Sequence, residues 1–316
     1  MITVAVPYQQ VADALGDLGD DVRVIVWDPR DGEAPPEERE RISIACIPHY
    51  TGGAKVYGRV GDLPNLRVIQ IPSAGYEHVV PLIPAGVALA NARGVHDTRT
   101  AEFAITLALA SLRGVPRWVH DQKSATWDPD YGLASLADRR TLVVGYGSIG
   151  AAIGSRLRAM EAHVEGVATT ARLAEDGTTV HAVDDLRHVL PEAEVVFLVT
   201  PHNEATDKIV NREFLSWMPD GALLVNVGRG KCVDQEALRS ELESGRLRAA
   251  LDVTDPEPLP ADDPLWKAPG ILIAPHVAGN TVLTDRRYTD LVKRQVDAVR
   301  RGDDPANFIM LGAFPA

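Results

Sequence analysis

Val143-Val144-Gly145-Tyr146-Gly147-Ser148-Ile149-Gly150 decides the reading of this chain. An apolar strand, Leu142 to Val144, runs into the spacing G-x-G-x-x-G. A helix then opens and carries Ala151, Ile153, Leu157 and Met160 at helical intervals. A second strand, His163 to Ala168, follows. Each glycine has a physical job in this setting. Gly145 permits the tight strand-to-helix turn, the bare Gly147 lets the backbone approach a pyrophosphate, and Gly150 lets the helix pack close to the sheet. Ser148 and Ile149 lie at the start of the helix, where free N–H groups and the helix dipole favour an anion. Glycine-rich turns are common, so the spacing alone is weak. The flanking strand, helix and strand supply the context that a dinucleotide fingerprint requires.

Outward from this motif, strands alternate with helical segments, which predicts an α/β protein with doubly wound parallel sheets. Before the motif the apolar runs are Thr3–Val6, Val22–Trp27, Ser43–Ile47, Arg67–Ile71 and Val87–Ala90, and Asp28–Glu40 reads as a solvated loop. From the motif onward they are Leu142–Val144, Val164–Ala168, Val195–Val199, Leu223–Val227, Ala249–Asp252 and Ile271–Ala274. Helices are expected at Asp184–Leu190, Asn211–Trp217 and Asp234–Ser244. Glu102–Leu112 reads as a connecting helix, and a last helix, Thr284 to Arg301, precedes a short tail. The economical arrangement is a Rossmann dinucleotide-binding domain, residues 97–281, inserted into a first domain made of 1–96 and 282–316.

The chain has 316 residues, of which 45% are hydrophobic and 24% charged, an ordinary globular composition with room for two domains. A net charge of −12 argues against nucleic acid or an anionic membrane as the main partner. An anionic substrate therefore needs a local cationic site. No apolar run reaches transmembrane length, and Met1 to Gln10 reads as a strand start without a signal-peptide profile, so a cytoplasmic protein is expected. Cys46 and Cys232 read as reduced core thiols. No metal site is expected.

Three ionisable residues follow the motif, each just past a strand: Arg229 in Asn226-Val227-Gly228-Arg229-Gly230, Glu257 in Leu251–Pro258, and His276 in Pro275-His276-Val277-Ala278-Gly279. The carboxyl ends of the strands are where open α/β sheets bind ligands. The planar fork of Arg229 matches a carboxylate. His276 can act as acid and base near neutral pH, and Glu257 can favour its protonated form. Singly, Arg229 could cap a helix, His276 could be a loop histidine and Glu257 a solvated loop residue. As an ordered set behind a dinucleotide fingerprint they point to catalysis. Trp127, Trp266, Tyr50 and Tyr76 are candidates for lining a cleft, although Trp127 and Trp266 read equally well as core. His96 reads as structural, and Arg286, Arg287, Lys293 and Arg294 as the solvated face of the last helix.

Over essentially its whole length the chain resembles the D-isomer-specific 2-hydroxyacid dehydrogenases. The matching segments are Leu63–Gln70 with Ser73-Ala74-Gly75, Asn91–Val95, Ala101–Ala104, Gly145–Gly150, Asn226–Gly230, Leu251–Pro258 and Pro275–Gly279. The resemblance implies a flavodoxin-like substrate domain beside the Rossmann domain, a catalytic set of Arg229, Glu257 and His276, and a substrate loop, Ser73, Ala74 and Gly75 with Tyr76 beside it, that offers N–H groups to a carboxylate. It implies cofactor contacts from Thr200, Pro201 and Asp252, a site closed between the domains, and a homodimer formed through the nucleotide domains.

One departure bears on the cofactor. NAD enzymes place Asp or Glu at the end of the second strand, roughly 20 residues past the motif, to bind the ribose 2′-OH. Here Ala168 stands in that position, and Thr169, Thr170 and Arg172 follow. That pattern is similar to the NADPH-preferring glyoxylate/hydroxypyruvate reductases, so NADP is the expected cofactor, with NAD as the alternative. The expected reaction is hydride transfer to a small 2-keto acid, giving the D-2-hydroxy acid. Formate dehydrogenases carry Gln where Glu257 stands, and phosphite dehydrogenases carry Lys where Ala74 stands. A phosphoglycerate dehydrogenase-like enzyme remains open, although no regulatory domain follows Ala316, as does a dinucleotide-sensing protein like the corepressors of this fold.

Overall fold

A computed structural model describes residues 1–49, 53–129, 132–279 and 286–313. The chain divides into two compact units, Met1–His96 with Val282–Ala316, and Asp97–Thr281.

The first unit opens with β1 (Ile2–Val6), α1 (Gln9–Leu15), β2 (Val22–Val26), α2 (Pro36–Arg39), β3 (Ile42–Cys46), α3 (Ala54–Gly61), β4 (Val68–Gln70) and β5 (Ala88–Ala90). The second carries α4 (Asp97–Leu112), α5 (Val115–Lys123), β6 (Arg140–Val144), α6 (Ser148–Ala159), β7 (His163–Ala168), β8 (Arg172–Leu173), β9 (Thr179–Ala182), α7 (Leu186–Val189), β10 (Val195–Leu198), α8 (Arg212–Trp217), β11 (Leu223–Asn226), α9 (Gln235–Glu243), β12 (Arg248–Leu251) and β13 (Ile271–Ile273). The chain then returns to the first unit as α10 (Arg286–Arg301) and β14 (Phe308–Leu311).

The first sheet runs β14-β5-β4-β3-β1-β2, so its parallel strands have the flavodoxin-like order, with β14 added antiparallel at the edge of β5. The second runs β13-β12-β11-β10-β6-β7-β9-β8, a Rossmann order with β8 antiparallel to β9. Register is direct: Val144 pairs with Val167 on one side and Leu198 on the other. The central strands are apolar without alternation, because helices cover both faces. Ile42–Cys46 and Leu223–Asn226 are buried at every position. Each sheet has a hydrophobic cluster on either face. On α10, Tyr288, Leu291, Val292, Gln295, Val296 and Val299 form one buried stripe, while Arg286, Arg287 and Arg294 are exposed and Lys293 half-buried. Cys46 and Cys232 are free buried thiols.

Several expectations are corrected. The loop expected at Asp28–Glu40 contains α2, which starts on Pro36 and has Glu37 and Glu38 in its first turn. Glu38 is buried there and paired with Arg23. The connecting helix starts at Asp97, not Glu102. Met160 caps α6 instead of continuing it. The segment Asp184–Leu190 is a short helix between two 3₁₀ turns, the second containing Pro191. The tail carries β14, and an unexpected hairpin, β8–β9, follows β7. Trp127 is 95% exposed and Trp266 46%, so neither belongs to the core. Tyr50 and the expected helix start at Thr284 lie outside the described residues.

Candidate active site

Strand order in the second unit reverses at β6 and β10. From β6 the sheet continues to β7 on one side, and from β10 to β11, β12 and β13 on the other. The glycine turn follows β6, Thr200 follows β10, Arg229 follows β11, Asp252 and Glu257 follow β12, and His276 follows β13. All lie past the carboxyl ends of adjacent parallel strands, around the switch point that favours ligand binding.

The glycines of the first turn have different surroundings. Gly145 has φ +103°, and a Cβ there would lie 2.8 Å from the Val199 carbonyl carbon. A Cβ on Gly150 would lie 2.4 Å from the Gly145 oxygen, so α6 seats directly on the turn. A Cβ on Gly147 would meet nothing within 4 Å, so its bare backbone faces open space. Ser148 and Ile149 follow as the first residues of α6. Ala168 ends β7, Thr169 and Thr170 are exposed, and Arg172 lies in β8. Arg172 Nη2 donates to the Tyr146 carbonyl at 2.6 Å and Nη1 to the Thr170 carbonyl at 3.3 Å, which brings its guanidinium against the glycine turn. These residues fit a dinucleotide: an open bare turn at a helix N-terminus, and no acid at the end of β7.

The Arg229 turn is wedged between its neighbours. A Cβ on Gly228 would lie 2.8 Å from the Thr200 oxygen, and one on Gly230 only 1.9 Å from the Thr254 oxygen. Glycine at both positions lets the turn close onto the loops after β10 and β12. Asn226, fully buried at the end of β11, holds it from inside. Its Oδ1 accepts the Gly228 N–H at 3.0 Å and its Nδ2 donates to the Arg229 carbonyl at 3.1 Å. Arg229 is half-buried, with Nη1 donating to the Gly228 carbonyl at 2.7 Å.

His276 Nδ1 and Glu257 Oε2 are 2.7 Å apart, and Glu257 Oε1 accepts the Thr254 N–H at 3.2 Å. His276 sits in the left-handed region, φ +53°, a strained conformation for a side-chain-bearing residue. Asp252 over-determines it. The Asp252 carbonyl accepts the His276 N–H at 2.8 Å, and its buried carboxylate accepts the N–H groups of Val277 and Ala278 at 2.8 and 3.0 Å. Asp252, expected to touch the cofactor, thus has a definite second job as the anchor of the histidine loop.

The charges act on one another. The Glu257 hydrogen bond raises the His276 pKa above its ordinary value of 6.5, against burial and the Arg229 charge. Burial opposes ionisation of Glu257, but the His276 bond and charge, the Thr254 N–H and Arg229 outweigh it and lower its pKa. Burial raises the Asp252 pKa, with its two N–H bonds opposing. The Arg229 charge acts in one sense on both, favouring ionised Glu257 and neutral His276. The buried Thr200 hydroxyl, beside the Cys232 thiol, makes no conventional hydrogen bond among the described residues. The Pro201 carbonyl accepts the Cys232 S–H at 3.6 Å. Among the described residues no group of His, Cys, Asp and Glu is placed to hold a metal ion.

In the first unit, the carbonyls of the Ser73–Gly75 loop are all engaged. Ser73 O accepts the Ala92 N–H at 2.9 Å, Ala74 O accepts Asn91 Nδ2 at 2.6 Å, and Gly75 O accepts the Ser73 hydroxyl at 2.6 Å. Tyr76 is half-buried with its ring against the core, and its N–H is bonded to the Glu77 carboxylate at 3.0 Å. His96 Nε2 lies 2.6 Å from the Pro72 carbonyl, so it supports the loop from behind.

Sequence reasoning held Asn226, Gly228, Gly230 and Thr254 only as members of the matching segments Asn226–Gly230 and Leu251–Pro258 and gave them no role of their own. The clearest signal was Asn226, a polar residue ending the apolar run Leu223–Val225.

Comparison with known proteins places the chain in a family. Residues 105–278 match the family model of the D-isomer specific 2-hydroxyacid dehydrogenase NAD binding domain. A glyoxylate reductase of Korarchaeum cryptofilum is 34% identical over 78% of this chain and 76% of its own. A glyoxylate reductase of Thermofilum pendens is 29% identical over 88% of this chain and 84% of its own. Among solved structures, a D-isomer specific 2-hydroxyacid dehydrogenase from Xanthobacter autotrophicus Py2, in complex with NADPH and MES, superposes with a TM-score of 0.83 at 25% identity, covering 98% of each chain. The second unit is an NAD(P)-binding domain, and the protein is an oxidoreductase that belongs to the D-isomer specific 2-hydroxyacid dehydrogenase family.

Proposed function

We propose that the protein is an NADPH-preferring reductase of a small 2-keto acid of the glyoxylate or hydroxypyruvate type, forming the D-2-hydroxy acid. The observation that carries this reading is the His276–Glu257 pair, Nδ1 to Oε2 at 2.7 Å, past the carboxyl ends of adjacent strands of the dinucleotide-binding sheet. When bound, the dinucleotide supplies the hydride for the keto carbon. His276, protonated because Glu257 favours imidazolium, gives a proton to the keto oxygen from Nε2. Arg229 holds the substrate carboxylate and polarises the keto group with its fork. Ser73, Ala74 and Gly75 offer N–H groups to a substrate carboxylate, and their carbonyls are bonded within the first unit. On this reading Met1–His96 with Val282–Ala316 is the substrate unit and Asp97–Thr281 the dinucleotide unit.

Gly145, Gly147, Ser148, Ile149 and Gly150 receive the pyrophosphate. Thr200, Pro201 and Asp252 are assigned to the nicotinamide end. Arg172, with Thr169 and Thr170, receives a 2′-phosphate that Ala168 does not repel. Family resemblance supports a homodimer, and the free buried thiols Cys46 and Cys232 support a cytoplasmic setting. Among the described residues no helix is long and apolar enough to cross a membrane.

The test is a panel of glyoxylate, hydroxypyruvate, pyruvate and 3-phosphohydroxypyruvate with NADPH and with NADH, followed by nicotinamide absorbance. The short keto acids should turn over with NADPH preferred by about 10-fold, the low end expected for one exposed charge-assisted contact. Ala168→Asp should shift that preference toward NADH. Equal or better kcat/KM with NADH removes the cofactor assignment. Selective turnover of the phosphorylated acid makes the protein a phosphoglycerate dehydrogenase instead, and dinucleotide binding without turnover makes it a sensor.

A further inference from the structure

Tyr146 stands between the first two glycines of the turn, but its side chain leaves the turn entirely. The ring is 2% exposed and fills a slot between α6 and β7. Two glycines make the slot: a Cβ on Gly154 would lie 2.4 Å from the Tyr146 oxygen, and one on Gly166 would lie 2.5 Å from ring carbon Cδ2. Through this slot the phenol reaches the β8–β9 hairpin. Its hydroxyl donates to Asp176 Oδ2 at 2.9 Å and lies 2.8 Å from Thr178 Oγ1. Arg158 of α6 closes the cluster, donating from Nη2 to Asp176 Oδ2 at 2.7 Å and from Nη1 to Thr178 Oγ1 at 2.6 Å. Burial works against ionisation of Asp176, but Arg158, Thr178 and Tyr146 outweigh it and hold the carboxyl well below the usual range. Asp176 is thus committed to the cluster.

The other end of Tyr146 holds the same hairpin, since its carbonyl accepts Arg172 Nη2 at 2.6 Å. One residue of the glycine turn is therefore fastened to both ends of the hairpin. The inner strand β9 is held in the sheet by β7, so the weakly held part of the hairpin is its edge. That edge strand, β8, is two residues long, both exposed, and pairs with β9 only as Arg172 with Val180 and Leu173 with Thr179, so the side chains around Tyr146 supply much of what fixes it. An arginine on a mobile hairpin would have to be ordered when it bound a phosphate, at a cost in affinity.

We infer that Tyr146 is a positioning residue for cofactor discrimination. By tying the β8–β9 hairpin to the glycine turn, it holds Arg172 ready for the 2′-phosphate of an NADP-type dinucleotide. The inference rests on the reading of Arg172 given above. Glycines at 154 and 166 are then part of cofactor selection, because any larger residue would displace the Tyr146 ring.

The test measures binding of 2′,5′-ADP and ADP by calorimetry, without turnover, together with amide exchange in the free protein. Tyr146→Phe keeps the ring in its slot and removes only the hydroxyl, and Asp176→Asn weakens the same cluster from the hairpin side. Each should raise the Kd for 2′,5′-ADP at least about threefold while changing that for ADP less than about twofold. Exchange should speed up at Gly177 and Ala174, whose N–H groups close the hairpin turn. On an Arg172→Ala background, Tyr146→Phe should have no further effect on 2′,5′-ADP. If Arg172→Ala is selective for 2′,5′-ADP but Tyr146→Phe and Asp176→Asn are not, or weaken both probes equally, the role of Tyr146 is overturned and that of Arg172 stands. An unselective Arg172→Ala overturns both.

Discussion

His276 Nδ1 lies 2.7 Å from Glu257 Oε2, a bond that joins the loops after the adjacent strands β13 and β12. A carboxylate at that distance stabilises imidazolium over imidazole, which raises the His276 pKa and lowers that of Glu257. It also fixes the ring so that Nε2 is the edge left to deliver a proton.

The pH dependence follows from these directions. Reduction needs the proton on His276, so kcat/KM should hold below the raised pKa and fall as pH rises through it. Glu257→Gln should move this alkaline limb to lower pH. Arg229→Ala should move the limb of its residual activity to higher pH, because the Arg229 charge opposes protonation of His276. Stability carries the same signature. The histidine contribution is complete below 6.5 and lost as pH rises through the folded value. The glutamate contribution is complete above 4.5 and lost as pH falls through its depressed value. The Tm difference between native protein and His276→Ala should therefore be greatest between those limits. A limb that Glu257→Gln leaves unmoved contradicts the pairing.

Arg229 is argued to bind the substrate carboxylate and keto oxygen. A charge-assisted hydrogen bond contributes roughly 1.5–3 kcal/mol, so Arg229→Ala should lower kcat/KM for the keto acid by at least about 10-fold. Arg229→Lys should recover only part, since an ammonium cannot make the fork. Steady-state kinetics checks both, and full activity in the lysine variant would give Arg229 a structural job.

Asn226 should prove essential without touching substrate. Asn226→Ala leaves the buried Gly228 N–H without its partner, at about 1–3 kcal/mol, while the Arg229 carbonyl keeps only the Cys232 N–H. Tm should fall, and kcat/KM should fall by more than stability explains, because the Arg229 turn loses its clamp. Native kinetics in a destabilised Asn226→Ala protein would show that the neighbouring loops alone position Arg229.

The last two glycines of the motif separate packing from binding. Gly150→Ala forces a Cβ to within 2.4 Å of the Gly145 oxygen and should lower Tm sharply. Gly147→Ala meets open space and should leave Tm unchanged, yet weaken dinucleotide binding by blocking close approach. Calorimetry and thermal melts distinguish the two, and unchanged dinucleotide affinity in Gly147→Ala would remove the phosphate from that turn.

Most of this site was legible in the sequence. The glycine spacing, the three ionisable residues past strands and the missing acid at Ala168 are local signals, each carried by a residue type whose chemistry is distinctive. What was not legible depends on contacts between distant segments. Nothing in Gly230 alone says that its Cβ would strike Thr254, and nothing in Tyr146 says that its ring passes between Gly154 and Gly166 to a hairpin thirty residues away. The hairpin itself escaped because β8 is too short to show a period. Asp252 was placed by resemblance, but its hold on Val277 and Ala278 is a tertiary fact. The core reading of Trp127 failed because hydrophobicity predicts burial only on average.

The central claim is that His276 delivers the proton in keto-acid reduction by this dehydrogenase. The most direct measurement compares NADPH oxidation by glyoxylate and hydroxypyruvate in native protein and His276→Ala, with the NADPH Kd of each determined by titration. Native protein should turn over, and the variant should lose about 10²–10⁴-fold in rate, the usual contribution of a general acid, while its Kd stays within about twofold. Near-native turnover in His276→Ala, or no reduction of either acid by the native protein, would contradict the account.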